Sequence, residues 1–159
     1  MSEDIQPRIV NRPDFIVAGL KVRAGDQEDI KALWAQFAGR AAELRQAAVS
    51  GQTYGLIDNF DEESGEFDYL AGVEVRAADQ APEDMEVWQL LAQNYAVFPT
   101  TLSTLMQTMS QAYESWLPGS NYRRAPGPEF ELYGDNFEPD DPDSPFQLYI
   151  PVEPLAGGE

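Results

Sequence analysis

The sequence predicts an α+β domain: two pseudo-symmetric βαββ repeats forming one sheet, with two helices on one face and an open groove on the other. Three observations carry this. Segments with strand-like alternation or β-branched content recur along the chain. Two stretches show the three-and-four apolar spacing of amphipathic helices. The tripeptide Asp58-Asn59-Phe60 returns as Asp135-Asn136-Phe137, 77 residues further on, within the same order of elements.

Residues 1–13 are polar and contain two prolines, which predicts a tail. The domain is expected over 14–153, with repeat one at 14–76 and repeat two at 87–153, and a second tail at 154–159. Phe15 to Val22 is apolar and β-branched, a strand pattern. Asp26 and Asp29 form an acidic capping pair before a helix expected over 28–48, with Ile30, Leu33, Trp34, Phe37, Ala41 and Leu44 on its apolar stripe. Strands are expected from Thr53 to Phe60 and from Glu66 to Val75, joined by an acidic turn ending in Gly65.

Residues 76–86 are a polar connector. A single strand region follows from Val87 to Phe98, with Asn94 marking a bulge. Thr100 or Thr101 caps a second helix whose stripe is Leu102, Leu105, Met106, Met109, Tyr113, Trp116 and Leu117, stopped by Pro118-Gly119. Ser120 to Gly127 is a loop holding Arg123 and Arg124. The last two strands are the one holding Glu131, within Pro128 to Gly134, and Phe146 to Val152, around another acidic turn, Glu138 to Ser144.

The most informative stretch is Pro128-Glu129-Phe130-Glu131-Leu132-Tyr133-Gly134. Its alternation sends Phe130 and Leu132 one way and Glu129, Glu131 and Tyr133 the other. Carrying the Asp-Asn-Phe offset through the repeats maps Glu131 onto Tyr54, Tyr133 onto Leu56 and Tyr149 onto Leu70. On that mapping all six share the face away from the helices; Trp88 and Tyr95 either border the same cavity or pack as sheet-core aromatics. A carboxylate among rings is a seat for an aromatic or cationic organic molecule. If buried, Glu131 needs a raised pKa or a Tyr hydroxyl partner.

Composition narrows the chemistry. Ten basic against 28 acidic residues give a net charge of −18, which disfavours binding to nucleic acid or to an anionic membrane. It suits cationic ligands or a basic protein partner. With no His and no Cys, imidazole catalysis, thiol chemistry and the usual zinc sites are excluded. The acidic turns lack calcium-loop spacing, so no metal and no cofactor are expected. No signal-peptide or membrane-spanning pattern is present, which points to the cytoplasm.

Several stretches together resemble a known family. They are Tyr54-Gly55, Phe67-x-Tyr69-x-Ala71-Gly72-Val73-Glu74-Val75, Asn94-Tyr95-Ala96-Val97-Phe98, Tyr113-x-x-Trp116-Leu117-Pro118, Phe130-Glu131-x-Tyr133 and Tyr149-Ile150-Pro151-Val152. In order and spacing the chain is similar to GyrI-like small-molecule-binding domains, also found as effector-binding modules of AraC-type and multidrug-responsive regulators. The resemblance implies two βαββ repeats with a ligand groove between them. It places Glu131 at the position of a buried ligand-binding glutamate and Tyr133 and Tyr149 along the groove. The chain departs from the family at Asn94 and at Pro99-Thr100-Thr101, on the rim, and leaves no room for a helix-turn-helix module, so a free-standing binder is expected. Two alternatives are a hydrolase of strained electrophiles, with Glu131 as general base beside Tyr133 or Tyr149, and a gyrase-inhibitor-like interaction module using the acidic turns.

Overall fold

The computed structural model describes residues 6–138 and 140–155. They form one antiparallel sheet of nine strands with two helices. The strands are β1 (Arg8–Arg12), β2 (Phe15–Ala24), β3 (Thr53–Asp58), β4 (Phe67–Val75), β5 (Glu86–Leu90), β6 (Gln93–Thr100), β7 (Tyr122–Arg124), β8 (Glu129–Tyr133) and β9 (Phe146–Pro154). Helix α1 (Gln27–Ala38) follows β2, and α2 (Leu105–Gln111) follows β6. The sheet order is β1-β6-β9-β8-β3-β4-β2-β5, with β7 added to β9.

That order is a palindrome about the β8–β3 seam, which is how a duplication looks in a sheet. In each half the first strand pairs with the third and the third with the second, as in β2–β4–β3 and β6–β9–β8. The second strands join the halves. The outermost strands extend the repeat. β1 precedes β2 in the chain but pairs with β6. β5 precedes β6 but pairs with β2. Each repeat lends its leading strand to the edge of the other.

Two expectations are corrected here. The tail over 1–13 contains β1, while residues 1–5 lie outside those described. Prolines on both sides of Arg8–Arg12 mimic a linker, and pairing with β6 overrides that local signal. The single strand over 87–98 is two strands at opposite ends of the sheet. The break falls at Leu91-Ala92, not at Asn94, and the Ala92 N–H is held by Asp14 Oδ1 at 2.7 Å. The Arg123–Arg124 loop also contains a strand, β7, along the end of β9.

Helix α1 begins with the expected capping box: Asp26 accepts from the Asp29 N–H, and Asp29 caps back. It buries Leu33 and Phe37 on β2 and β4. It ends at Ala38, and the expected continuation is a 3₁₀ turn, Ala41–Leu44, that still buries Leu44. The second helix starts from a Thr101–Thr104 capping box. Beyond α2 it widens into a π turn, Ala112–Trp116, and closes with Leu117–Gly119. Such turns re-aim side chains within a helix. This one carries Tyr113 and Trp116.

The core has three parts. Under α1 lie Leu33, Phe37, Ala71, Val73 and Val75. Under the second helix lie Phe98, Ala112, Leu148 and Ile150. The third part fills the sheet face away from both helices and joins Phe15, Val17, Leu56, Leu70, Tyr95, Phe130 and Tyr149 across the two repeats. Val17, Leu56, Leu70, Tyr95 and Phe130 have no solvent exposure, so the sheet curls shut on that side. Among the described residues no helix is long and apolar enough to cross a membrane.

Candidate functional site

Helix α1 rests on β2 and β4, and the second helix rests on β6. The seam strands β3 and β8 lie between the two footprints. On this helix side β8 presents Glu129, Glu131 and Tyr133, and β3 answers with Ile57, Gly55 and Thr53 in register. Gly55 sits directly opposite Glu131. A Cβ on Gly55 would lie 2.1 Å from Tyr69 Oη and 3.0 Å from Glu131 Oε1. Only glycine leaves room for the carboxylate and phenol to meet there.

Glu131 is 6% exposed. Tyr69, from β4, donates to its Oε1 at 2.8 Å. Tyr133 donates to the same oxygen at 2.5 Å. Trp34, from α1, donates its indole N–H to Tyr69 Oη at 3.0 Å and stands edge-on to Tyr133 at 5.6 Å between centroids. Behind Tyr133 lie Phe137 at 4.6 Å and Phe146 at 4.7 Å. Trp34 is half-buried, so this aromatic wall reaches solvent through the indole.

Burial pushes the Glu131 carboxyl above the ordinary value, the two tyrosine hydrogen bonds pull it back, and Glu129 pushes it up again. Burial likewise holds both phenols well above 10.0, reinforced by the carboxylate beside them. A buried carboxylate costs several kcal/mol of lost hydration. Hydrogen bonds to a charged group return about 1.5–3 kcal/mol each. What is missing is a positive charge: no Arg or Lys among the described residues lies within 4.0 Å of Glu131.

Glu129, two residues along the same face, is treated differently. It is also buried, and burial again raises its carboxyl. Tyr113, from the π turn, donates to it in a short hydrogen bond. Arg124, from β7, approaches to 3.6 Å and gives its Nε–H to Tyr113 Oη at 3.1 Å.

The mapping that put Glu131 and Tyr133 on one face with Tyr149, Tyr54, Leu56 and Leu70 is corrected. Glu131 and Tyr133 face the helices. Tyr54, Leu56, Leu70, Tyr95 and Tyr149, with Trp88 packed at the edge, belong to the core on the opposite face. The Asp-Asn-Phe offset put the wrong residues on one face: Gly55 is opposite Glu131 in the ladder and shares its side of the sheet, while Tyr54 is opposite Leu132 on the other. A one-residue slip in a strand sends every side chain to the other face. The two tripeptides also differ in backbone, since Asn59 has φ 57 and Asn136 has no positive φ.

On that opposite face the chain supplies its own cation. Arg12, from β1, stands 3.9 Å from the Phe15 centroid and 5.6–5.9 Å from those of Phe130, Tyr54 and Tyr149. It donates to Tyr54 Oη at 3.3 Å and pairs with Glu74 at 3.4 Å. Burial pushes the Tyr54 phenol up to about 12.

Sequence reasoning missed Trp34, Tyr69, Tyr113, Arg124 and Glu129 as members of the site. Trp34 and Tyr113 stood in helix stripes that read as core. Tyr69 shares the helix face of β4 with Ala71 and Val73, and its position opposite Ile57, next to Gly55, carried the signal.

The architecture is that of a GyrI-like effector-binding domain: a duplicated sheet, two helices and a buried carboxylate among rings at the seam. The model of the Cass2 family, integron-associated effector binding proteins, matches residues 8–152, and the chain belongs to that family. It is 33% identical over 153 residues to the transcriptional regulator BrlR of Pseudomonas aeruginosa, covering 94% of this chain and 56% of BrlR; it thus spans about half the length of that relative. Among solved structures it is similar to SAV2435 bound to tetraphenylphosphonium, with a TM-score of 0.73, 18% identity and 94% of each chain covered. It is also similar to the integron cassette protein VCH_CASS2 from Vibrio cholerae, with a TM-score of 0.66, 20% identity, and 94% of this chain and 98% of that one covered.

Proposed function

We propose that this domain is a receptor for lipophilic organic cations, which lie at the seam between α1 and the second helix and use Glu131 as counter-charge. One observation carries the reading. Glu131 is buried with hydrogen-bond donors but no cation, while its neighbour Glu129 has Arg124. A cation that brings its own apolar shell supplies the missing charge without needing hydration. Trp34, Tyr133, Phe137 and Phe146 offer rings to that shell, and each cation–π contact contributes about 0.5–2 kcal/mol. The bound tetraphenylphosphonium in the similar SAV2435 structure supports this ligand class.

The test is calorimetric titration of wild type and Glu131→Gln with tetraphenylphosphonium and, in parallel, neutral triphenylphosphine oxide. Gln keeps the shape and removes the charge. Cation affinity is expected to fall by one to two orders of magnitude, matching about 1.5–3 kcal/mol. The neutral compound should be unaffected. An unchanged cation affinity removes Glu131 from the role; an equal loss for both compounds points to a collapsed groove.

A further inference from the structure

We infer that the same seam holds a second counter-charge, Glu129, kept closed by Arg124, and that the domain also accepts flat aromatic dications whose second charge displaces Arg124. This rests on the proposed cation receptor and extends it to a ligand class with two centres. Glu129 and Glu131 are two residues apart on one face of β8, so their carboxylates are set about 7 Å apart along the strand. Each is more than nine-tenths buried. Each accepts a tyrosine hydroxyl, from Tyr113 and from Tyr69 with Tyr133 respectively. Glu129 is among the groups that raise the Glu131 carboxyl.

The resident cation is weakly committed. Arg124 is 3.6 Å from Glu129, outside hydrogen-bond range, and its side chain is 32% exposed. Its Nε–H goes to Tyr113 and its Nη1 to the Ala125 carbonyl. A guanidinium one-third exposed and held through a phenol and a backbone oxygen can turn to water once a ligand cation takes over its charge at Glu129. Glu129 cannot follow it, being fixed in the sheet under Tyr113. A ligand cation at Glu129 therefore competes with a tethered, partly hydrated group.

The matched probes are methyl viologen and 1-methyl-4-phenylpyridinium, which share a two-ring frame and carry two charges and one. The viologen nitrogens lie a distance apart similar to that of the two carboxylates. Both are titrated into the intact chain as wild type, Arg124→Gln and Glu129→Gln, with thermal melts to confirm folding. Arg124→Gln should strengthen viologen binding at least tenfold more than it strengthens binding of the monocation. Glu129→Gln should abolish any preference for the dication and leave the monocation bound. The inference is overturned if Arg124→Gln binds viologen no better than wild type while the monocation still binds, a result that leaves the Glu131 receptor standing. Failure of both probes in every variant, with tetraphenylphosphonium also unbound, overturns the receptor and this extension together.

Discussion

The two faces of the β3–β8 seam solve opposite problems. Away from the helices, a cation has been provided and the cage is full: Arg12 stands over four rings, and an ion pair to Glu74 completes it. Toward the helices, a carboxylate has been provided and only neutral donors meet it. The same strands thus carry, back to back, a cation with its carboxylate and a carboxylate without a cation. Buried charges in a finished core are paired, and the buried side-chain atom left without a partner among the described residues, Tyr95 Oη on the Arg12 face, is uncharged. The face with charge left over is the one to suspect of function.

The comparison breaks most visibly at Gly55. Gly55→Ala places a methyl group where Tyr69 Oη and Glu131 Oε1 now sit, and Tyr69 is too buried to withdraw. Overpacking of this kind costs about 1–3 kcal/mol. Chemical denaturation should show that loss, and titration should show tetraphenylphosphonium binding reduced at least tenfold. A variant with unaltered stability and affinity would mean that the helix side is looser than its packing implies.

The opposite face offers the sharper control. Arg12→Met keeps the stem over the rings and removes the guanidinium. It should cost about 1–2 kcal/mol of stability, read from the shift in denaturation midpoint. Affinity for tetraphenylphosphonium should stay within twofold. A large loss of affinity would show that the two faces are coupled through the seam.

The smallest effect is on pH. The Glu131 carboxyl is raised in the fold, so the folded state holds that proton more tightly than the unfolded chain. Ionising it in the empty protein therefore destabilises the fold as pH rises from about 4.5 through the raised value. Glu131→Gln should gain stability relative to wild type over that interval and show no gain below it. Bound tetraphenylphosphonium should reverse the trend, since a cation favours the ionised carboxylate. Melting curves across the pH range, with and without ligand, test both signs.

Much of the fold was legible. The strands from Phe15, Thr53, Phe67, Glu129 and Phe146 follow their alternation, and both helices start at their expected caps. What escaped was long-range. Nothing local in Arg8–Arg12 announces pairing with β6, and nothing local cuts 87–98 in two. Glu131 was legible as a residue because a carboxylate in a half-buried strand is unusual. Its face was not, because the register across the seam is set by strand pairing between the repeats and not by the tripeptide that advertises them. Trp34 and Tyr69 stayed hidden for a related reason: aromatic residues that surround a buried carboxylate obey the same periodicity as those that only fill a core.

The exchange of leading strands has a consequence for how the chain comes to be folded. β1 leaves the ribosome early, but its sheet partner is β6, Gln93–Thr100. Until Glu86–Leu90 is made the first repeat lacks the edge that β5 will supply, and until β6 is made β1 has no ladder to join. Neither repeat can finish its sheet from its own sequence. Pairings this distant in the chain are closed late and at a high entropic cost. The nascent first half therefore spends its synthesis with β2 uncovered along one side, an edge that invites pairing with other chains. A high density of negative charge on such an intermediate keeps like chains apart, so the acidity of this protein has work to do before there is any site to serve.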